Sequence, residues 1–564
     1  MRHVPWLWLS VLAALVACSA GESGGADTVP AKDAIEASDA MEAFDATAAE
    51  TRDGVGDTVP VDALGDREAR LAALAETFEA ERAQSGAPGA AMVVMLDGQV
   101  ARTFGSGTRR VVGGDPVDGD TRFRIGSLTK MLSAIALLQQ VEQGHVALDD
   151  LLVTHVPAFH LQASPDPVGA ITVRHLLTHA SGIVDYLEID APAATCPDAC
   201  LNDFLTGDFG TIGYVMFPPG RMYDYSNPGF ALVGLLVEKA SGAFYRPYMR
   251  EHVFQPLGLE RTTFDPAEVM ADGNYAEATG HHWTTGASVT IAPDSYDNAW
   301  AAPAGYAFST VNDLARVATF LMHGDPAVLA PELLAQMTAE QVVTDELLDL
   351  SWYGFGLAVS RGLLAVEPGR WHPVRVLAHD GGIPGYSALL FVLPEAGFAV
   401  ATLASGEGAY FPQTVAQAVY SLAPLPATVP APDLVDDPTR YPDYVGEYVD
   451  PFGIGRIVLS TDGETLSMAL PDLDAAGIAY DATLQPVSPR NYLATVDGNQ
   501  IPATVVLDAT GKGEYVRTRS AVAKRVVPPQ VPAPLPKARA QAFRQTLRRA
   551  APAPATVPAA VPTW

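Results

Sequence analysis

Cysteine is almost missing from this chain: 564 residues contain three, Cys18, Cys196 and Cys200. Three are too few for a disulfide scaffold or a thiolate metal cluster. Basic charge is scarce too, with 35 Lys and Arg against 65 Asp and Glu and a net charge of −30. So acidic a protein repels phosphate backbones and anionic lipid, which disfavours a nucleic-acid partner. The apolar run near the start, Val4 to Val16, is shorter than the ~20 residues a membrane-spanning helix needs. Neither a P-loop nor a dinucleotide-binding glycine fingerprint occurs. What remains is a chain with 48% hydrophobic residues, enough to bury real cores, and a length that suits about three to four domains at ~150 residues each.

The two ends carry their own signals. Residues 1–17 hold one early charge, Arg2, then the apolar run, then Leu15-Val16-Ala17-Cys18. Small residues directly before a cysteine suit the narrow cleft of a lipoprotein signal peptidase, and the segment resembles a bacterial lipobox. That resemblance implies cleavage before Cys18, lipidation of Cys18 and a cell-envelope location. Ser19 rather than Asp after the cysteine favours the outer membrane. An ordinary signal peptide with a chance cysteine is the alternative. Multiple acyl chains on Cys18 would anchor stably. Residues 18–66 follow as an acidic tether: Ser19 to Asp66 has twelve acidic and two basic residues, and no structural period survives there, as expected of a disordered, solvated segment. At the other end, residues 526–564 form a Pro/Ala-rich tail with a basic patch from Lys537 to Arg549 and no acidic residue. It reads as solvated, with anionic lipid or the acidic tether as the other candidate partner. Cys196 and Cys200, four apart around Pro197, are expected to bridge in an oxidising compartment and stiffen their loop.

Between the ends, periodicity outlines two globular units. Asp66–Ser85 has an amphipathic stripe of Leu71, Leu74 and Phe78. Ala90–Leu96 and Gln99–Phe104 flank Asp97-Gly98, a strong hairpin signal. Ser127–Gln143 predicts a largely buried helix, with Ser127 as its expected N-cap. Thr310-Val-Asn-Asp313 predicts the capped start of another. Arg375–Ala378, Ser387–Pro394 and Gly397–Ala404 predict three strands, and Phe411–Leu422 a closing helix. Helices and strands that group rather than alternate predict an α+β fold, an antiparallel sheet flanked by helices. A Pro/Ala/Asp-rich linker covers 425–440. Short strand-like segments at 441–525, Tyr444–Val449, Gly455–Ser460 and Thr465–Ala469 among them, predict a small all-β sandwich or barrel.

Several motifs fail on physical grounds. Gly21-Glu-Ser-Gly-Gly25 spells a nucleophile elbow, but no strand precedes it to force the strained turn. His175 and His179 share a helix face, yet Leu176 stands where a zinc protease needs its general-base Glu. His281-His282 has no evident third ligand. All three read as structural or incidental, and no metal is expected.

Three short signals carry chemistry. Ser127-Leu-Thr-Lys130 sets a hydroxyl and an amine one helical turn apart on one face. A serine is inert until a neighbour takes its proton, and a lysine can do so once burial lowers its pKa. Tyr225-Ser-Asn227 precedes the apolar helix starting near Phe230, offering a phenol that can act as base and an amide that can grip a carbonyl. His379-Asp-Gly381-Gly382 ends a strand-like run, where glycine lets a substrate approach and the Gly382 amide can donate to an oxyanion.

In this order and at these gaps, Ser-x-x-Lys, Tyr-x-Asn and His-x-Gly resemble the penicillin-recognising serine hydrolases, and most closely their class C β-lactamase-like branch. The strings ITVRHLLTHASGI (171–183), FPPGRMYDYSNPGF (217–230), AGYAFSTVNDLARV (304–317) and LAHDGGIPGY (377–386) extend the likeness over residues 67–424. The resemblance implies a β-lactamase/transpeptidase-like fold with Ser127 as nucleophile, Lys130 as its activator and Tyr225 as general base. It further implies that Asn227, His379 and Gly381 bind substrate, with the amides of Ser127 and Gly382 as oxyanion hole. YVGEYVDPFG (444–453) and GETLSMALPD (463–472) resemble the small lipocalin-like domain often appended to such hydrolases.

Two departures steer the substrate. His379 stands where β-lactamases and penicillin-binding proteins commonly have lysine, and a mostly neutral imidazole beside Asp380 attracts a carboxylate less. Glu-x-x-x-Asn, the water-activating signature of class A β-lactamases, is absent. The expectation is an acyl-enzyme hydrolase needing no cofactor, acting on small-molecule esters or peptides, cell-wall peptide included. Esterase leads D-amino-acid peptidase or carboxypeptidase, and β-lactamase follows. A penicillin-binding sensor or a non-catalytic wall-binding protein is the rival, and no motif fixes the oligomeric state.

Overall fold

The computed structural model describes residues 67–161, 168–185, 197–281, 288–344, 351–519 and 521–526. The expectations for the signal peptide, the tether, Cys18, Cys196 and the tail beyond Val526 lie outside these residues. Labels below follow the elements that build the site.

Helix α1 (Arg67–Ser85) leads into strands β1 (Gly89–Leu96) and β2 (Gln99–Gly107). Their two-residue turn is the expected Asp97-Gly98, with φ of 53° and 70°, the left-handed pair that matches strand twist. Helices α2 (Thr129–Glu142), α3 (Asn227–Ser241) and α4 (Val311–His323) form the body. Three short strands, β3 (Val342–Val343), β4 (Ser351–Tyr353) and β5 (Ala358–Ser360), precede three long ones, β6 (Val376–Ile383), β7 (Tyr386–Leu393) and β8 (Phe398–Ala404). Helix α5 (Pro412–Leu422) closes the unit.

These strands make one antiparallel sheet in the order β2-β1-β8-β7-β6-β5-β4-β3. Every residue of β1 is buried, because the sheet is covered on both faces. Met92, Val94 and Leu96 meet Leu71, Leu74 and Phe78 of α1 and Val415, Val419 and Leu422 of α5. Ala91, Val93 and Met95 point the other way, into the core built by α2, α3 and α4. The period-2 alternation of a strand thus sorts one apolar run between two helical layers. Burying each such Leu, Val or Phe contributes ~1.5–3 kcal/mol. The architecture is the expected α+β, β-lactamase/transpeptidase-like fold.

Beyond the linker come β9 (Gly446–Asp450), β10 (Gly455–Thr461), β11 (Leu466–Ala469), β12 (Gln485–Ser488), β13 (Asn491–Val496), β14 (Asn499–Leu507), β15 (Gly513–Thr518) and β16 (Ala521–Arg525). They form a second antiparallel sheet, β11-β10-β9-β16-β15-β14-β13-β12. The segment leading into β12 returns to β11: Met468 N donates to Ala482 O at 2.6 Å and Leu484 N to Leu466 O at 3.0 Å. The sheet therefore curls on itself around an apolar interior that includes Tyr448, Leu459, Tyr492 and Val505. Of the two β architectures open to the sequence, barrel curling is the one adopted.

The two units share an interface of apolar packing flanked by arginine contacts. Val184, Met216, Phe217 and Met222 pack with Val506, Tyr515 and Val522, and Tyr214 stacks on Phe452 at 3.9 Å between centroids. Arg221 pairs with Glu514 and donates to Leu507 O at 2.7 Å. Buried Arg517 donates to the carbonyls of Tyr223 and Thr344.

Candidate active site

Ser127 does not cap its helix as expected. It sits in a 3-10 turn, Gly126–Leu128, that runs directly into α2, and makes no capping hydrogen bond. Thr129 closes the turn instead, its hydroxyl donating to Gly126 O at 2.8 Å. The Ser127 hydroxyl is thereby left for Lys130, whose Nζ lies 3.0 Å from it.

The turn lies against β6 because glycine removes the obstacles. A Cβ on Gly126, which has φ +54°, would stand 2.6 Å from Gly382 N, and one on Gly381 would stand 2.0 Å from Ile125 O. The strand does not end at His379, as the sequence suggested, but runs through both glycines to Ile383. β5 pairs with it only at Val376, Leu377 and Ala378, so beyond these one edge of β6 is given over to the Ser127 turn. Ser127 and the amide-bearing Gly382 come together at that edge.

Lys130 is completely buried. Its Nζ donates to Asn227 Oδ1 at 2.7 Å and Ala304 O at 2.5 Å. Burial holds the amine well below the ordinary lysine range; the Asp185 carboxylate opposes this, Arg519 reinforces it and Asp380 opposes it. Tyr225, whose phenol is hydrogen-bonded to Ser127, is pushed well above its ordinary value by burial, against the pull of Arg519 and of that bond. Burial thus favours the uncharged form of both the amine and the phenol. Lys130 Nζ lies 4.8 Å from the Tyr225 ring centroid.

Asn227 is set by α3, whose N-cap is Ser226, accepting from Gly229 N at 3.1 Å. Asp185 Oδ1 accepts both the Asn227 main-chain N–H at 2.7 Å and its side-chain Nδ2 at 2.9 Å. The amide oxygen is thus turned toward Lys130.

His379 is buried with both ring nitrogens engaged: Nδ1 lies 2.5 Å from Asp380 O and Nε2 3.0 Å from Tyr353 Oη. The carbonyl can only accept, so Nδ1 carries the proton and Nε2 accepts from the phenol. Burial, with Lys130 next, pushes its pKa down to about 3, so the imidazole is neutral at physiological pH. The His175/His179 pair is structural. His175 completes a capping box with Thr172, while His179 accepts from Ser226 N at 3.0 Å and packs 4.1 Å from the Tyr225 ring. Among the described residues no cluster of three or more His, Cys, Asp or Glu is placed to hold a metal. Cys200 is disulfide-bonded; Cys196 lies outside the described residues.

Three neighbours were not singled out from the sequence. Asp185 follows two positions after the string ending at Ile183, and Tyr353 carries no motif. Arg519 belongs to the second domain, in the turn between β15 and β16, and reaches Asp185 Oδ2 at 2.9 Å. Nothing local in the sequence signals that contact.

A serine and a buried lysine one helical turn apart, a tyrosine and an asparagine beside them, and a glycine-bearing strand of an antiparallel sheet across from them define the class of penicillin-recognising serine hydrolases. The chain belongs to the beta-lactamase family, whose model matches residues 74–421. It is 29% identical over 344 residues to penicillin-binding protein 4 of Amycolatopsis lactamdurans, covering 59% of this chain and 84% of that one. It is 25% identical over 293 residues to penicillin-binding protein 4* of Bacillus subtilis, covering 49% and 58%. Among solved structures, SurE aligns with a TM-score of 0.60 at 23% identity over 82% of this chain and all of its own. A D-stereospecific amidohydrolase from Streptomyces aligns at 0.50 and 27% identity over 62% and 97%.

Proposed function

We propose that this protein is an acyl-transferring serine hydrolase of amides and esters, working through an acyl-enzyme on Ser127. The observation that carries the reading is the 3.0 Å contact between completely buried Lys130 Nζ and the Ser127 hydroxyl: with its two N–H groups given to Asn227 Oδ1 and Ala304 O, a neutral amine is left to accept from the serine O–H. Desolvation favours the neutral amine, and a neutral amine is a base. Lys130 takes the Ser127 proton as Oγ bonds to the substrate carbonyl carbon. Amide N–H groups of Ser127 and Gly382 receive the developing oxyanion. The proton then passes through the Tyr225 phenol to the leaving amine or alcohol as its bond to carbon breaks. Water repeats the sequence in reverse roles, with Tyr225 and Lys130 taking its proton and Ser127 recovering its own. Asn227 and the Gly381 edge of β6 position the substrate. Neutral His379, locked to Tyr353 and Asp380, shapes that wall without contributing a positive charge.

This wall supports substrates other than carboxylate-bearing β-lactams. Similarity to a D-stereospecific amidohydrolase and to penicillin-binding proteins supports D-configured amides and peptides alongside simple esters. Lipidation at Cys18 and attachment to the bacterial outer membrane complete the proposal, supported by the lipobox-like start. A penicillin sensor that acylates and barely turns over is the second reading, favoured by the same penicillin-binding relatives.

Intact-protein mass spectrometry tests these readings, with residues 67–564 incubated separately with a fluorophosphonate, a p-nitrophenyl ester, a D-amino-acid amide and a penicillin. A phosphonyl adduct on Ser127 with sustained ester or amide turnover is the expected result. A long-lived penicilloyl adduct without turnover selects the sensor. No adduct from any probe overturns the acyl-enzyme.

A further inference from the structure

We propose that Arg519, supplied by the second domain, is a positioning residue of the hydrolase site, holding Asp185 and through it the Asn227 amide that receives Lys130. The inference rests on the acyl-enzyme reading and gives the appended β-domain a part in it.

The connection is continuous. Arg519 Nε donates to Asp185 Oδ2 at 2.9 Å, and its Nη2 lies 2.9 Å from the same oxygen. Asp185 Oδ1 takes both N–H groups of Asn227, and Asn227 Oδ1 takes Lys130 Nζ. An amide has one accepting and one donating end, so the carboxylate at Nδ2 dictates what Lys130 meets. Were the amide reversed, its NH2 would face an amine that must be free to accept a proton.

Asp185 cannot do this alone without a penalty for the chemistry. Its side chain has no exposure to solvent, and a lone buried carboxylate beside Lys130 would favour the ammonium form. Arg519 offsets that charge. Its guanidinium also lies 4.4 Å from the Tyr225 ring centroid, where it favours passage of a proton out of the phenol.

The charged and titratable groups around Lys130 come from five places. Its own turn supplies Ser127, and the lead-in to α3 supplies Tyr225. The 179–185 segment brings His179 and Asp185, β6 brings His379 and Asp380, and the β15–β16 turn brings Arg519. Both imidazoles are held neutral by burial. The balance at Lys130 therefore lies among Asp185, Asp380 and Arg519.

The hairpin is well fixed for this task. Arg517, two residues earlier on β15, is buried and donates to Tyr223 O and Thr344 O. Tyr223 is itself two residues before Tyr225, so one edge of the β-domain braces the segment that carries the phenol and the aspartate that orients the amide.

The test is the pH dependence of the second-order rate of fluorophosphonate labelling of Ser127. It compares wild type, Arg519→Gln, Arg519→Lys, the pair Asp185→Asn/Arg519→Gln, and Arg221→Gln as a docking control away from the site. Removing the positive charge leaves Asp185 to hold Lys130 protonated to higher pH. The acid limb of the Arg519→Gln profile should move up by about one unit, roughly tenfold slower labelling on that limb. Arg519→Lys should restore most of the shift, and the charge-balanced pair should return the limb toward wild type even if its plateau is lower. Arg221→Gln should leave the limb in place. An unmoved limb in Arg519→Gln, or an equal movement in Arg221→Gln, overturns the proposal while labelling itself upholds the acyl-enzyme. Wild type that is never labelled overturns both.

Discussion

Lys130 shows how one residue's burial decides a reaction. Arginine in its place keeps its charge at every accessible pH and cannot take a proton. Lys130→Arg should therefore lose roughly 10²–10⁴-fold in acylation rate, the usual worth of a positioned base, read by stopped-flow ester kinetics. Ser127→Ala should lose turnover and labelling altogether while its circular dichroism is unchanged. His379 makes a prediction about stability. Its folded pKa of about 3 lies below the ~6.5 of an unfolded histidine, so the unfolded chain binds the proton first as pH falls. Stability from this group is complete above about pH 6.5 and drains away toward pH 3. Urea midpoints measured across that window should fall less steeply in His379→Gln than in wild type; equal slopes would sink the assignment. Ser127, Lys130, Tyr225, Asn227 and Gly382 were legible because each sits in a short motif whose chemistry depends on local spacing. Asp185 and Arg519 were not, since their meeting is decided by how two domains dock.

At the level of elements, the site is a turn pressed on a strand. Gly126 and Gly381 have no room for a side chain where they touch, which is why a glycine pair in a strand signals close backbone approach rather than weakness. Gly381→Ala should force the turn from β6, costing about 1–3 kcal/mol of stability as overpacking does. It should slow acylation more than Gly397→Ala, a change at the β7–β8 turn far from Ser127; thermal melts and labelling rates on both variants decide this. Periodicity located the long elements closely, from α1 and the Asp97-Gly98 hairpin to β7, β8 and α5, because their buried faces repeat at 2 or 3.6 residues. It failed where tertiary contact overrides local preference. Thr129 rather than Ser127 closes the turn before α2, and β6 continues through glycines that locally favour a strand end.

For the whole molecule, the apolar interface of Met216, Phe217 and Tyr515 with their neighbours should make the two domains unfold together. Val506→Glu puts a charge into that apolar surface and should split one calorimetric transition into two; a single unchanged peak would show that the interface contributes little. The main sheet carries a different consequence, one about time. Gly89 hydrogen-bonds to Ser405, 316 positions later in the chain, and β1 lies between β2 and β8. During synthesis at about 5–20 residues per second, the greasy strand Gly89–Leu96 emerges tens of seconds before its second neighbour exists. The β1–β2 hairpin must wait with one edge open, the condition under which strands pair with the wrong chain. A nascent copy of this protein therefore carries an apolar, half-paired strand for most of its synthesis, until β8 arrives.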